Sequence, residues 1–218
     1  MLSVIIPTLN AEGHLAACLE RMKGADEIVV VDGGSTDETV SVVKQYQVRC
    51  LSAPKGRGSQ LRAGAEAARG DWLLFLHADT LPDPSWPAAV AAHVTAHPNR
   101  SAYFILRLAD RVWQARAVER AVAARSAVLG LPYGDQGLLV PRTLYEEVGG
   151  YRPLPLMEDV DLVRRIGSRR LVALEAEAWT SAERWRRDGW VRRSARNLAC
   201  LGLYSVGVAP ERIAKLYA

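Results

Sequence analysis

Four short stretches of this 218-residue chain carry side chains whose types and spacing suit joint chemistry. Asp32 ends the apolar run Ile28-Val29-Val30-Val31 and is followed by Gly33-Gly34-Ser35-Thr36-Asp37. A carboxylate there can accept hydrogen bonds from a ribose or a base edge, because open α/β sheets bind ligands at the carboxyl ends of their strands. Lys55-Gly56-Arg57-Gly58-Ser59-Gln60 is a basic, glycine-rich loop opening a helix, where amides and cations suit a diphosphate. His77 and Asp79 leave another apolar run two residues apart, and therefore on one side of the backbone. Such a pair can hold a divalent cation and, through it, a diphosphate. Glu158-Asp159-Val160-Asp161 puts three carboxylates into the first turn of a helix, more than the helix dipole calls for. Each stretch also has a plainer reading: a turn acid, a connecting loop, a hydrogen-bonded core histidine, a capped helix. What favours chemistry is that Asp32 and His77 are expected at the same sheet edge.

The elements that must position these residues read as alternating strands and helices. Residues 2–6 form a short apolar strand stopped by Pro7, and Leu15, Cys18, Leu19 and Met22 then share one face of a helix. The Asp32 strand is continuous in β-formers, as a strand buried on both faces must be. Gly33 and Gly34 permit the tight turn after it, and Ser35, Thr36 and Asp37 are good helix-capping types. A helix with Val40 and Val43 and a third strand at 48–51 complete a βαβαβ run, which predicts a parallel core with right-handed crossovers. Further strands are expected at 71–76, 103–108 and 138–140, and a long helix at 111–129, lying across the sheet edge. Residues 190–204 read as a helix with basic and apolar faces, whose Leu198, Leu201, Leu203 and Tyr204 cover the domain or lie on a membrane surface.

Bulk composition is that of an ordinary globular domain, 49% hydrophobic and 24% charged, so a sizeable core can form. Net charge is +4, with arginines concentrated late, which suits phosphates or acidic headgroups. No aromatic-interleaved RNA-binding motif is visible, so nucleic acid is not expected as a partner. Cys18, Cys50 and Cys200 are odd in number and lack metal-ligand spacing, which argues for buried thiols in a reducing compartment. The start of the chain is too short and too uncharged for a signal peptide, and no apolar run spans a bilayer. The expected location is cytoplasmic, with the inner face of a membrane as the alternative setting. The basic loop is not a dinucleotide fingerprint, since Leu61 stands where the third glycine belongs, and it lacks the P-loop ending. That disfavours a nicotinamide-dependent dehydrogenase, and Pro7-Thr8-Leu9-Asn10 is not the phosphate loop of a nucleotidyltransferase.

Ser3-Val4-Ile5-Ile6-Pro7-Thr8-Leu9-Asn10, Val29-Val30-Val31-Asp32-Gly33-Gly34-Ser35-Thr36-Asp37, Leu76-His77-Ala78-Asp79 and Glu158-Asp159 occur in the order found in family-2 glycosyltransferases of the GT-A fold. The resemblance covers about residues 2–190 and is closest to small stand-alone bacterial members with His-Ala-Asp in place of Asp-x-Asp. It implies a Rossmann-like, mostly parallel α/β sheet flanked by helices. Residues 1–185 would be the nucleotide-sugar-binding and catalytic domain, and 186–218 a C-terminal helical extension. It also implies a nucleotide-diphosphate sugar donor, a divalent metal (manganese or magnesium), a hydroxyl acceptor and inversion at the anomeric carbon. Carried over by position, Pro7, Thr8 and Glu12 line the nucleoside pocket, Asp32 beside Gly34 contacts the base, and Lys55 and Arg57 approach the phosphates. Asp79, with His77, holds the metal, and Asp159, with Glu158, supplies the catalytic base. Arg184-Trp185 resembles a shortened Gln-x-x-Arg-Trp element of processive members, with Ser181 at the glutamine position. The imidazole in place of a carboxylate favours manganese over magnesium; metal-independent donor binding and a non-catalytic nucleotide-sugar-binding protein are the alternatives it raises.

Overall fold

The computed structural model describes residues 1–217. In chain order the elements are β1 (Leu2–Thr8), α1 (Glu12–Arg21), β2 (Glu27–Asp32), α2 (Thr39–Gln45), β3 (Arg49–Ser52), α3 (Arg57–Ala67), β4 (Trp72–Phe75), β5 (Thr80–Pro82) and α4 (Trp86–Ala96). There follow β6 (Ser101–Leu108), α5 (Trp113–Leu129), β7 (Leu138–Pro141), α6 (Arg142–Glu147), α7 (Glu158–Ile166), β8 (Leu171–Thr180), α8 (Glu183–Asp188), α9 (Trp190–Ser205) and α10 (Pro210–Tyr217). The strands form one eight-stranded sheet in the order β3-β2-β1-β4-β7-β6-β8-β5.

The first half of the sheet is the expected doubly wound one. β1, β2, β3 and β4 are parallel, and Thr8 stands beside Asp32 in the register. Their continuous apolar runs are buried on both faces because the period-two alternation feeds two separate cores. Ile5, Val29, Val31, Leu73 and Phe75 pack toward α3 and α7, whereas Val4, Ile6, Val30, Leu74 and Leu76 pack toward α1 and α4. Beyond β4 the sheet is mixed: β7 runs antiparallel to β4 and β6, and β8 is parallel to β6 but antiparallel to β5.

Several expectations meet corrections. Sequence reading overlooks β8, the longest strand, because its middle, Ala173-Leu174-Glu175-Ala176-Glu177-Ala178, is mostly alanine and glutamate, a composition of low β propensity. α5 packs along β6 and against α9. Cys50 is exposed, while Cys18 and Cys200 are buried as expected, and burial pushes the Cys18 thiol up to about 12. α8 straddles residues 185 and 186, and Cys200, Leu201 and Ile213 join the same core as β1 and β2. Leu203 and Tyr204 pack against that core, whereas Leu198 faces solvent. Among the described residues no helix is long and apolar enough to cross a membrane.

α3 lies flush on the sheet because Gly64 has no side chain; a Cβ there would collide with Ile5 and Val31. Overpacking a filled core costs about 1–3 kcal/mol. Gly64→Val should therefore lower the midpoint of urea unfolding by an amount in that range, and a wild-type midpoint would refute the tight α3–sheet contact.

Candidate active site

The carboxyl ends of β1 and β2 are tied into one edge by a side chain that sequence reasoning missed. Gln60, buried on α3, donates from Nε2 to the carbonyls of Thr8 (2.7 Å) and Val31 (2.8 Å), one on each strand. Asp32 then organises the loop after β2. Its carboxylate accepts the amides of Gly34 and Ser35 at 2.9 Å, the Ser35 hydroxyl, and the Thr8 hydroxyl at 3.2 Å. Burial opposes the charge on Asp32, but these donors outweigh it and hold its pKa below the ordinary carboxylate value. Gly34 can supply its amide because it adopts φ +91, a conformation that suits glycine.

The loops after β1 and β2 are zipped together. Asn10 accepts the Thr36 amide and donates its own to Ser35, and the Glu12 carboxylate accepts the Glu38 amide at 2.9 Å. Glu12 thus caps the approach to α2 and lies outside the groove that it was expected to line. That groove, about 380 Å³, runs over Pro7, Thr8, Asn10, Lys55 and Arg57 to His77 and Asp79. Of the expected residues, Pro7, Thr8, Lys55 and Arg57 meet there, whereas Asp32 and Gly34 do not line the groove; Asn10 and Gln60 are additions.

A second cleft adjoins the first and shares Arg57, His77, Asp79 and Arg184 with it. Its wall contains Asp159, placed by a strained start to α7: Met157 has φ +65, unusual for a residue with a Cβ. The three carboxylates at this helix start have three different jobs. Glu158 is buried and ion-paired with Arg57, which keeps its charge against burial for that reason. Asp161 pairs with Arg165 and Arg152, and Arg165 also holds the carbonyls of Val148 and Gly150. Asp159 is the one left facing the cleft, with Oδ2 accepting the Gly134 amide at 2.8 Å and Oδ1 the Val160 amide at 2.8 Å.

Gly134 opens a single 3₁₀ turn ending at Gln136. Gln136 is buried and anchors the turn, donating to the Phe104 carbonyl and accepting from Ser126. His77 packs against this turn: a Cβ on Gly134 would fall 2.7 Å from its Nε2 and 3.4 Å from Asp159 Oδ2. Burial, with Arg57 next in weight, pushes the His77 pKa down to about 4, so the ring is neutral at pH 7. Asp135 also lines the cleft, with Oδ1 buried and lacking a hydrogen-bond partner. The signal for this turn is Gly134-Asp135-Gln136-Gly137, which stands just before the strand expected at 138–140. Arg193, Asn197 and Tyr217 from α9 and α10 close the far side. Trp185 lies on that side too, stacked on Trp190 at 5.6 Å with the Arg193 guanidinium over it, rather than in the nucleotide-side groove.

Among the described residues no group of three or more His, Cys, Asp or Glu side chains could hold a metal ion. His77 and Asp79 provide two donors at the junction of the clefts. That number fits a hard cation bound through one carboxylate and completed by phosphate oxygens, and the neutral imidazole is in the form that ligates.

Because the folded pKa of Asp32 lies below its unfolded value, its contribution to stability is complete above about pH 4 and drains away as pH falls through the folded value. Asp32→Asn should therefore be less stable than wild type at pH 7, and the gap should close in acid. A constant gap from pH 7 to pH 2, read by urea unfolding, would contradict this account.

Residues 3–138 match the family model described as glycosyl transferase family 2. A PGL/p-HBAD biosynthesis glycosyltransferase of Mycobacterium bovis is 38% identical over 109 residues, 44% of this chain and 43% of that protein. A lipopolysaccharide core biosynthesis glycosyltransferase of Rhizobium meliloti is 34% identical over 84 residues, 36% of this chain and 31% of that protein. The matches thus span less than half the length of these curated relatives. S. aureus TarS 1-349 in complex with UDP-GlcNAc superposes with a TM-score of 0.65 at 19% identity, covering 83% of this chain and 58% of that one. Glucosyl-3-phosphoglycerate synthase from Mycobacterium tuberculosis, in complex with Mn2+, UDP and glucosyl-3-phosphoglycerate, gives 0.59 at 22% identity over 83% and 70%. The sheet and its flanking helices are the GT-A fold, and the chain belongs to glycosyl transferase family 2.

Proposed function

We propose that this protein transfers a glycosyl group from a nucleotide-diphosphate sugar to a hydroxyl acceptor, with inversion at the anomeric carbon. The observation that carries this reading is the position of Asp159, held by two backbone amides in a cleft that opens onto the groove of Thr8, Lys55 and Arg57. The nucleoside would occupy the groove over Pro7 and Thr8, at the strand ends where such sheets take ligands. The diphosphate would reach the junction, which Arg57 and Arg184 border, with Lys55 in the adjoining groove. The acceptor would enter beside Asp135, Asn197 and Tyr217.

Inverting transfer needs one base. The acceptor oxygen attacks the anomeric carbon from the face opposite the diphosphate, its proton passes to Asp159, and the bond to the diphosphate oxygen breaks. The amides of Gly134 and Val160 fix the carboxylate's direction. Glu158 acts differently, holding Arg57 at the cleft junction where its charge stabilises the departing diphosphate. A divalent cation on Asp79 and His77, when bound, would supply further positive charge to that leaving group. Asp135 offers an unpartnered acceptor oxygen to a sugar or acceptor hydroxyl.

Thermal stability against a panel of nucleotide diphosphates and nucleotide sugars, with and without manganese, tests the reading first. A ligand at about 100 times its Kd adds roughly 2.7 kcal/mol, a shift that a melting curve resolves. One nucleotide sugar should stabilise the protein, and Asp159→Asn should retain that stabilisation while turnover falls by roughly 10²–10⁴-fold. Loss of donor binding in Asp159→Asn would reassign the residue to binding. Stabilisation without any sugar transfer would favour the non-catalytic alternative, and no stabilisation by any member of the panel would overturn donor binding itself.

A further inference from the structure

The outward faces of α5 and α9 are inverted relative to those of helices that meet water. On α9, Arg193 and Arg196 turn inward, each bonded to Asp188 at 2.7 Å, whereas Val191 and Leu198 are 82% and 70% exposed. Ala195, Ala199 and Gly202 extend that exposed line at helical spacing. An amphipathic surface helix ordinarily turns its apolar stripe to the core. α5, which packs against α9, repeats the inversion. Trp113 and Val128, near its two ends, are 75% and 79% exposed, and Ala117, Ala121 and Ala124 are exposed between them on the same stripe.

The charge on these faces has a single sign. Arg111, Arg120 and Arg192 are exposed and have no ion-pair partner among the described residues. The one acidic residue of α5, Glu119, is buried and paired with Arg107 and Arg116. Residues 189–209 contain no acidic residue. We infer that α5 and α9 together form a docking face for an anionic phospholipid bilayer. The apolar stripes enter the headgroup boundary, and the arginines meet lipid phosphates. A second copy of the chain is a poorer occupant, because a two-fold contact sets a patch against itself and would confront Arg120 and Arg192 with other arginines. α9 carries Arg193 and Asn197 of the cleft wall as well. Docking therefore holds the acceptor side of the cleft about one helix diameter, ~10 Å, from the headgroups. The docking face stands on exposure and charge alone, so it survives or fails independently of the transfer reaction.

Flotation of the full chain with phosphatidylcholine vesicles, with and without phosphatidylglycerol, tests this. The wild type should float with the phosphatidylglycerol vesicles at low salt and stay largely free with phosphatidylcholine alone. Val191→Glu with Leu198→Glu, and separately Trp113→Glu with Val128→Glu, should each weaken binding at least about tenfold, since each pair removes two apolar anchors. Melting temperatures should stay at the wild-type value because these side chains are exposed. Replacing Arg111, Arg120 and Arg192 with Gln should abolish the preference for phosphatidylglycerol, again with wild-type melting. A wild type that remains unbound to both vesicles at low salt overturns the inference, as does binding that survives both glutamate pairs. A dimer seen by light scattering, dissociated by the same glutamates and never floating, would assign the face to a second copy and overturn it equally.

Discussion

Arg57 and Glu158 stand 101 residues apart in sequence and form an ion pair at the point where two clefts meet. The pair ties the start of α3, which follows the Lys55-Gly56 loop, to the start of α7, which carries Asp159. Glu158 is buried, so removing Arg57 would leave a carboxylate in the interior without its counter-ion, typically a loss of about 3–5 kcal/mol. The backbone is built to let these two helix starts approach: a Cβ on Gly58 would strike the Arg152 carbonyl. Without that approach the groove and the cleft would be two separate concavities on one sheet edge. With it, His77, Asp79 and Arg184 border both.

The groove side was largely legible in the sequence. A run of β-formers ending in Asp32-Gly33-Gly34 dictates a buried strand and a tight turn, and short loops keep local residues local. The cleft side was less so. Asp159 could be singled out from its motif, but the different surroundings of Glu158, Asp159 and Asp161 depend on Arg57, Gly134 and Arg165, and only Arg165 is a helical neighbour. Gln60 looked like one more polar residue in a loop because its two acceptors are backbone carbonyls on strands 29 and 52 residues away. β8 was hidden by alanine, and without it the sheet's far half could not be assembled on paper. Glu12 shows the reverse situation: its residue type fits a nucleoside pocket, but its carboxylate accepts the Glu38 amide, a partner 26 residues away that the sequence does not point to.

The mixed half of the sheet has a purpose for the site. β4 and β7 are antiparallel neighbours, so the exit of β4, with His77 and Asp79, faces the entry to β7, with the Gly134 turn. A wholly parallel sheet would have placed that entry at the opposite edge. The change of direction at one strand therefore brings His77 and Asp79 and the amide that aims Asp159 to the same edge.

The contact between Gly134 and His77 has a consequence for how such a sequence can drift. The donor that aims Asp159 is a main-chain amide, so at position 134 only proline would remove the group itself. A side chain at 134 would instead collide with the imidazole, whereas a shorter residue at 77 would leave room for one. Positions 77 and 134 are consequently locked together, and a chain with a carboxylate at 77 is released from the requirement for glycine at 134.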